Sequence, residues 1–285
     1  MNRFQIGVMV DSFRLDIADG IKKAKEVGAE GIQIYATNGK MAPQNLKAHQ
    51  RKEILDMIKS NDLVVSALCG DMGGHGFAKQ EDNKSRVEQS KRIMDLARDL
   101  ETNVVTTHIG VIPSDPTHDR YKIFQDACGI LGEYGAQVEA YFAIETGPEK
   151  AVVLKMFLDS LGTKGVGVNM DPANLVMVTD DDPVEAVKTL KNYIVHTHAK
   201  DGIIKKKTDP ERIYNFFAEG GIEDLRMEDY FIEMPLGQGA VDFPNYLKAL
   251  EEIGFKGFLT IEREVGGQPE KDIKLAVDFL RNILK

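Results

Sequence analysis

Four residues able to ligate a divalent cation, Glu145, Asp171, His198 and Glu262, each close a short apolar run: AYFAIETG, VGVNMDPAN, YIVHTHAKD and GFLTIERE. The first three stand 26 and 27 residues apart, about one strand-plus-helix unit, and the fourth follows 64 residues later, room for one unit plus an insertion. One carboxylate at such a place can be no more than a helix N-cap or half of an ion pair. Three carboxylates drawn to one point would repel and raise one another's pKa values unless a cation neutralised them, so the set as a whole calls for a metal. Three oxygen donors and one imidazole suit a fairly hard ion, Mn²⁺ first, then Mg²⁺ or Co²⁺, with Zn²⁺ also compatible.

Residues a unit apart become neighbours only if consecutive strands lie side by side with their carboxyl ends at one mouth. The chain offers eight candidate strands, at 4–10, 30–35, 63–68, 103–107, 141–144, 166–170, 193–197 and 257–261, short, rich in β-branched residues and apolar on both faces. Helical patterns alternate with them. Ile273, Ala276, Val277, Leu280 and Ile283 form one stripe at spacings of three and four, and Phe243, Tyr246, Leu247, Leu250 and Ile253 form another, opened by Asp242 as N-cap. Eight such units predict an α/β fold, a (β/α)8 TIM barrel in which strand ends converge on one site. Residues 1–285 read as one domain, with 202–239 as a long insertion after strand seven, too long for an ordinary βα loop and expected to cover the mouth or to form a subunit contact.

Composition narrows the partners. With 285 residues and 42% hydrophobic content the chain can bury a large core. A net charge of -9 and a pI near 5.3 leave no basic footprint for nucleic acid. Cys69 and Cys128 do not make a disulfide framework, Asp11 interrupts the apolar start MNRFQIGVMVDSF where a signal peptide would continue, and no run reaches the roughly 18 apolar residues of a membrane span. A soluble cytoplasmic protein, with neither nucleic acid nor membrane as partner, is expected.

The series Glu, Asp, His, Glu, set in IETG, NMDPAN, HAKD and PLGQGAVDFPNYLKALEEIGFKGFLTIERE, resembles the sugar phosphate isomerase/epimerase superfamily of xylose-isomerase-like barrels, which includes the ketose 3-epimerases and the inositol-catabolism isomerases and dehydratases. The resemblance spans essentially the whole chain. It implies one metal held by Glu145, Asp171, His198 and Glu262, polarising the carbonyl of a ketose, a related polyol ketone or a sugar phosphate and stabilising an enediolate, with Glu145 and Glu262 as the proton carriers. A dehydratase of the inosose type is the neighbouring alternative, since proton removal can be followed by loss of a β-hydroxyl. An endonuclease IV-like phosphodiesterase, with many histidines and a polyanionic substrate, fits poorly with six histidines and this charge. A non-catalytic sugar-binding barrel would not need a full ligand set.

Further substrate contacts are expected at His108 in VVTTHIG, His75 in the glycine-rich GDMGGHGF, Asn174 and Lys200, with Phe77 as an apolar wall. Each also has a plain structural reading: His108 can satisfy a backbone carbonyl, His75 can belong to an ordinary loop, and Lys200 can pair with Asp201. His196 shares a strand face with His198 and is expected one layer deeper. Asn174 stands where many ketose 3-epimerases carry a histidine, and Lys205, Lys206 and Lys207 stand where they often have an arginine; the three lysines either grip a phosphate or solvate a loop. A homo-oligomer is expected.

Overall fold

The computed structural model describes residues 4–222 and 225–285; residues 1–3 of the N-terminal stretch and 223–224 of the expected insertion lie outside them. Strands β1 (Gln5–Met9), β2 (Gly31–Tyr35), β3 (Val64–Cys69), β4 (Val104–Thr107), β5 (Tyr141–Glu145), β6 (Val166–Met170) and β7 (Ile194–Ala199) run in order. A ribbon, β8 (Asp201–Ile204) with β9 (Phe231–Met234), precedes the last barrel strand, β10 (Phe258–Ile261). All barrel pairings are parallel, and β10 closes the circle between β7 and β1. The strands are short and buried because helices cover the outside while side chains fill the inside, so apolar residues are favoured on both faces.

The helices are α1 (Ile17–Val27), α2 (Ala48–Ser60), α3 (Gln80–Asp99), α4 (Asp119–Val138), α5 (Ala151–Leu161), the single turn α6 (Pro172–Asn174) continued by π-helical Leu175–Thr179, α7 (Pro183–Leu190), α8 (Pro210–Ala218), α9 (Phe243–Glu252) and α10 (Pro269–Ile283). The expected stripes face inward: Ile273, Ala276, Val277 and Leu280 of α10 and Phe243, Tyr246, Leu247 and Leu250 of α9 are buried. Asp242 accepts the Asn245 N–H and caps α9.

The insertion is folded rather than a loop. Strands β8 and β9 pair antiparallel, and Ile213, Leu225 and Met227 form a small core with Phe216, Tyr230, Phe231 and Val178, of which Phe231 and Val178 also pack against the barrel core. Asp201, at the start of β8, accepts the backbone N–H groups of Gly202, Gly237, Gly239 and Val241, so the PLGQG stretch is wound around one carboxylate. Among the described residues no helix is long and apolar enough to cross a membrane.

Candidate metal centre

Glu145 ends β5, Asp171 follows β6, His198 lies one residue inside the end of β7, and Glu262 follows β10. Barrel closure brings them together: one ligand atom from each lies within 4.8 Å of all the others, and all four residues are buried. His198 Nδ1 stands 3.5 Å from Glu145 Oε1, 3.4 Å from Asp171 Oδ2 and 3.4 Å from Glu262 Oε2. Such separations suit atoms that share one ion at about 2.1 Å from each.

Local structure aims each group. Asp171 divides its carboxylate: Oδ1 accepts the N–H groups of Ala173 and Asn174 as the N-cap of α6, leaving Oδ2 for the centre. Thr146 Oγ1 donates to the carbonyl of Asp171 and accepts its N–H, which ties the ends of β5 and β6. Glu145 accepts from Asn169 Nδ2 at 3.0 Å on one oxygen and from Asn174 Nδ2 at 3.1 Å on the other. Gly147, at φ 138°, makes the second contact possible, because a Cβ there would strike the Cβ of Asn174.

The imidazole is oriented by residues the sequence analysis did not name. Gln33 Nε2 donates to Thr106 Oγ1 at 2.7 Å, so its Oε1 accepts from His198 Nε2 at 3.0 Å and Nδ1 is turned to the carboxylates. From the other side, Thr260 Oγ1 pairs with His196 Nε2, His196 Nδ1 donates to Asn169 Oδ1, and Asn169 Nδ2 reaches Glu145. His196 therefore lies beneath the centre as expected, and burial together with the neighbouring His198 holds its pKa well below the usual histidine range. The signal for Gln33 and Asn169 was an amide inside an apolar strand, GIQIY and VGVNM, where an unpaired polar group would be costly. The strand register slips at both places, between Ile32 and Gln33 and between Val168 and Asn169, and such irregularities redirect side chains.

Glu262 has a different neighbour. Lys200 Nζ, almost fully buried, donates to Glu262 Oε2 at 2.9 Å and pairs with Glu264. Burial alone would raise the Glu262 pKa, but Lys200 and His198 outweigh it and hold the carboxyl well below its usual range. Burial would likewise depress His198, yet the Glu262 and Glu145 carboxylates raise it well above normal. The arrangement is three clustered carboxylates that keep an imidazole charged, and a divalent cation would take over that charge and free the Nδ1 lone pair. The donor set fits the ion expected from the sequence.

The remaining expected contacts are placed as follows. His108 Nδ1 lies 3.0 Å from Asp71 Oδ2, and Nε2 lies 3.7 Å from Glu145 Oε1; burial lowers its pKa, but the carboxylates of Glu145 and Asp71 raise it to about 10. Asn174 reaches Glu145, as noted. His75 Nε2 lies 3.6 Å from Glu219, just past α8. Phe77 is no open wall: it is 1% exposed and packs edge-on against Phe142 of the barrel core. Lys200 pairs with Glu262 and Glu264 rather than with Asp201, whose carboxylate is engaged by backbone. Lys205 reaches the Glu228 carbonyl and Lys206 lies over the Tyr230 ring, local contacts of the insertion, while Lys207 pairs with exposed Asp180 after the π-helical segment. Glu149 was missed; burial pushes its pKa up to about 8, although one oxygen accepts the Ile112 N–H.

Residues 21–283 match the family described as xylose isomerase-like TIM barrel. Among solved structures, a xylose isomerase domain protein from Planctomyces limnophilus is similar at 24% identity and a TM-score of 0.80, covering 98% of this chain and 97% of that one. A probable 3-DHS dehydratase, AsbF, from Bacillus anthracis is similar at 20% identity and a TM-score of 0.75, over 98% and 99% of the two chains. A D-psicose 3-epimerase from Clostridium cellulolyticum H10 is similar at 14% identity and a TM-score of 0.73, over 99% and 100%.

Proposed function

This chain belongs to the xylose isomerase-like TIM barrel family, and we propose that it is a divalent-metal-dependent isomerase or epimerase of a ketose, a related polyol ketone or a sugar phosphate. The observation that carries the reading is the buried meeting of Glu145, Asp171, His198 and Glu262 within 4.8 Å. A divalent ion held by these four, Mn²⁺ first among the candidates, supplies Lewis-acid polarisation of the substrate's carbonyl.

The chain's own residues do the rest. Glu145 and Glu262 are the carboxylates that carry a proton to and from the carbon beside the carbonyl. His108, Asn174, Lys200 and His75 line the approach as hydrogen-bonding contacts for a small-molecule substrate. The insertion roofs the β3 to β6 side: Arg120, at the start of α4, pairs with Glu211 of α8 through both terminal nitrogens, and His75 faces Glu219 at the other end of that helix. Closing this side excludes water from a reactive carbanion-like species. In this reading residues 1–285 form one domain that acts without nucleic acid or membrane partners, and copies of the chain associate.

One observation favours a second reading, a dehydratase of the inosose type. The two glutamates are not equivalent, since amides of Asn169 and Asn174 serve Glu145 whereas an ammonium serves Glu262. A lysine ammonium hydrogen-bonded to one of the two carboxylates is an asymmetry that expulsion of a β-hydroxyl can use. Both readings are tested by incubating the Mn²⁺-loaded protein with a panel of ketoses and cyclic polyol ketones in D₂O. Deuterium entering at the carbon beside the carbonyl supports proton transfer, and an unsaturated product identifies dehydration. No label and no water loss in any member would contradict the assignment.

A further inference from the structure

Three successive strands of the barrel carry Asp71, His108 and Glu145 at their carboxyl ends, on β3, β4 and β5. We propose that Asp71 is a positioning residue for the proton transfer assigned above, holding His108 so that Nε2 is presented to a substrate oxygen lodged beside Glu145. A carboxylate only accepts, so the 3.0 Å contact of Asp71 Oδ2 with His108 Nδ1 keeps a proton on Nδ1 in every state of the ring. The other oxygen, Oδ1, accepts the Gly73 N–H at 2.7 Å, which fixes the carboxylate itself. The opposite ring nitrogen points at Glu145 Oε1 from 3.7 Å, beyond hydrogen-bond distance. Among the described residues Nε2 makes no hydrogen bond, and the His108 side chain is 28% exposed while that of Glu145 is 7% exposed. The free nitrogen therefore sits between solvent and the buried glutamate, where a substrate would enter. A purely structural Asp71, there only to shape the Gly73 turn, would have no need to select one edge of the ring.

The placement is read without substrate. Long-range ¹H–¹⁵N correlation spectra of the metal-free and Mg²⁺-loaded protein, with His108 assigned through His108→Gln, should show Nδ1 protonated. An unprotonated Nδ1 in the unaltered chain would overturn the proposal. The role is read by a double-mutant cycle on the solvent-exchange reaction. Asp71→Leu should lower kcat by a factor on the order of 10² while KM moves less than about threefold, Asp71→Asn, which keeps an accepting oxygen, should recover part of the loss, and Asp71→Leu should have no further effect in the His108→Gln background. Equal losses in both backgrounds, or an unaltered rate, would overturn it. A protonated Nδ1 with no label entering any ketone would leave the placement standing and overturn the reaction assigned above instead.

Discussion

Oε1 of Gln33 lies 3.0 Å from Nε2 of His198, joining β2 to β7 inside the barrel. Thr106 accepts from the amide nitrogen of Gln33, so the carbonyl end must face the histidine, and the ring is left with Nδ1 directed at three carboxylates. A glutamine buried in a strand thus decides which nitrogen a metal would meet.

Replacing that glutamine should therefore weaken metal binding rather than abolish it. Gln33→Leu keeps the bulk but removes the oxygen that accepts from His198 Nε2, leaving only the Asn169 amide nitrogen beside that atom among the described residues, and a tenfold to hundredfold loss in affinity is expected, roughly the range for such supporting groups. Titration of the metal against a competing chelator measures it. Unchanged affinity would mean that the histidine needs no such hold.

How much of this was legible in the sequence follows from which forces are local. The barrel strands were found within a residue or two because a strand buried on both faces must be an apolar run, and the ligands stood out because Glu145, Asp171, His198 and Glu262 break such runs at their ends. Asp71 and Gln33 were not singled out, since their roles depend on His108 and His198, at 37 and 165 residues' distance. Phe77 reads as an apolar wall for the substrate because its partner Phe142, on β5, lies far off in the sequence. The insertion read as a loop because its core borrows Val178 from the segment after α6, and no periodicity within 202–239 records that contact.

The two glutamates should separate binding from chemistry. Glu262→Gln and Glu145→Gln keep an oxygen donor but lose the charge and most of the basicity, so metal occupancy should fall modestly while solvent deuterium exchange drops by a factor on the order of 10² to 10⁴. Equal losses in the two variants point to a two-faced epimerase, and unequal losses to a one-base isomerase or dehydratase. Exchange at the unaltered rate in both metal-loaded variants would remove these residues from the proton path.

Glu149 should make the metal-free fold less stable as pH rises. Its folded pKa, raised to about 8 by burial, exceeds the ordinary 4.5, so between these values the unfolded chain releases a proton that the folded chain keeps, and stability falls with increasing pH. Glu149→Gln should match the parent below about pH 4 and exceed it by up to about 5 kcal/mol above pH 8, by linkage. Denaturant unfolding in the presence of chelator measures the difference. A gap that narrows with rising pH would reverse the sign argued here.

The roof formed by α8 should detach without unfolding the barrel, because its small core of Ile213, Leu225 and Met227 meets the main one only through the half-buried Val178 and Phe231 among the described residues. Ile213, 4% exposed at the centre of that core, is the point to break. Ile213→Asp should open the insertion to proteolysis and raise KM on the order of tenfold, with metal affinity nearly unchanged. Unaltered kinetics in a chain that is demonstrably cut there would remove the insertion from the site.

Four side chains from four strand ends should form one metal centre. Crystals of the protein soaked in Mn²⁺ and measured at a wavelength where manganese scatters anomalously test it most directly. One dominant anomalous peak is expected, bounded by Glu145, Asp171, Glu262 and the Nδ1 atom of His198. A dominant peak elsewhere, or these four side chains refined without density between them at saturating Mn²⁺, would contradict it.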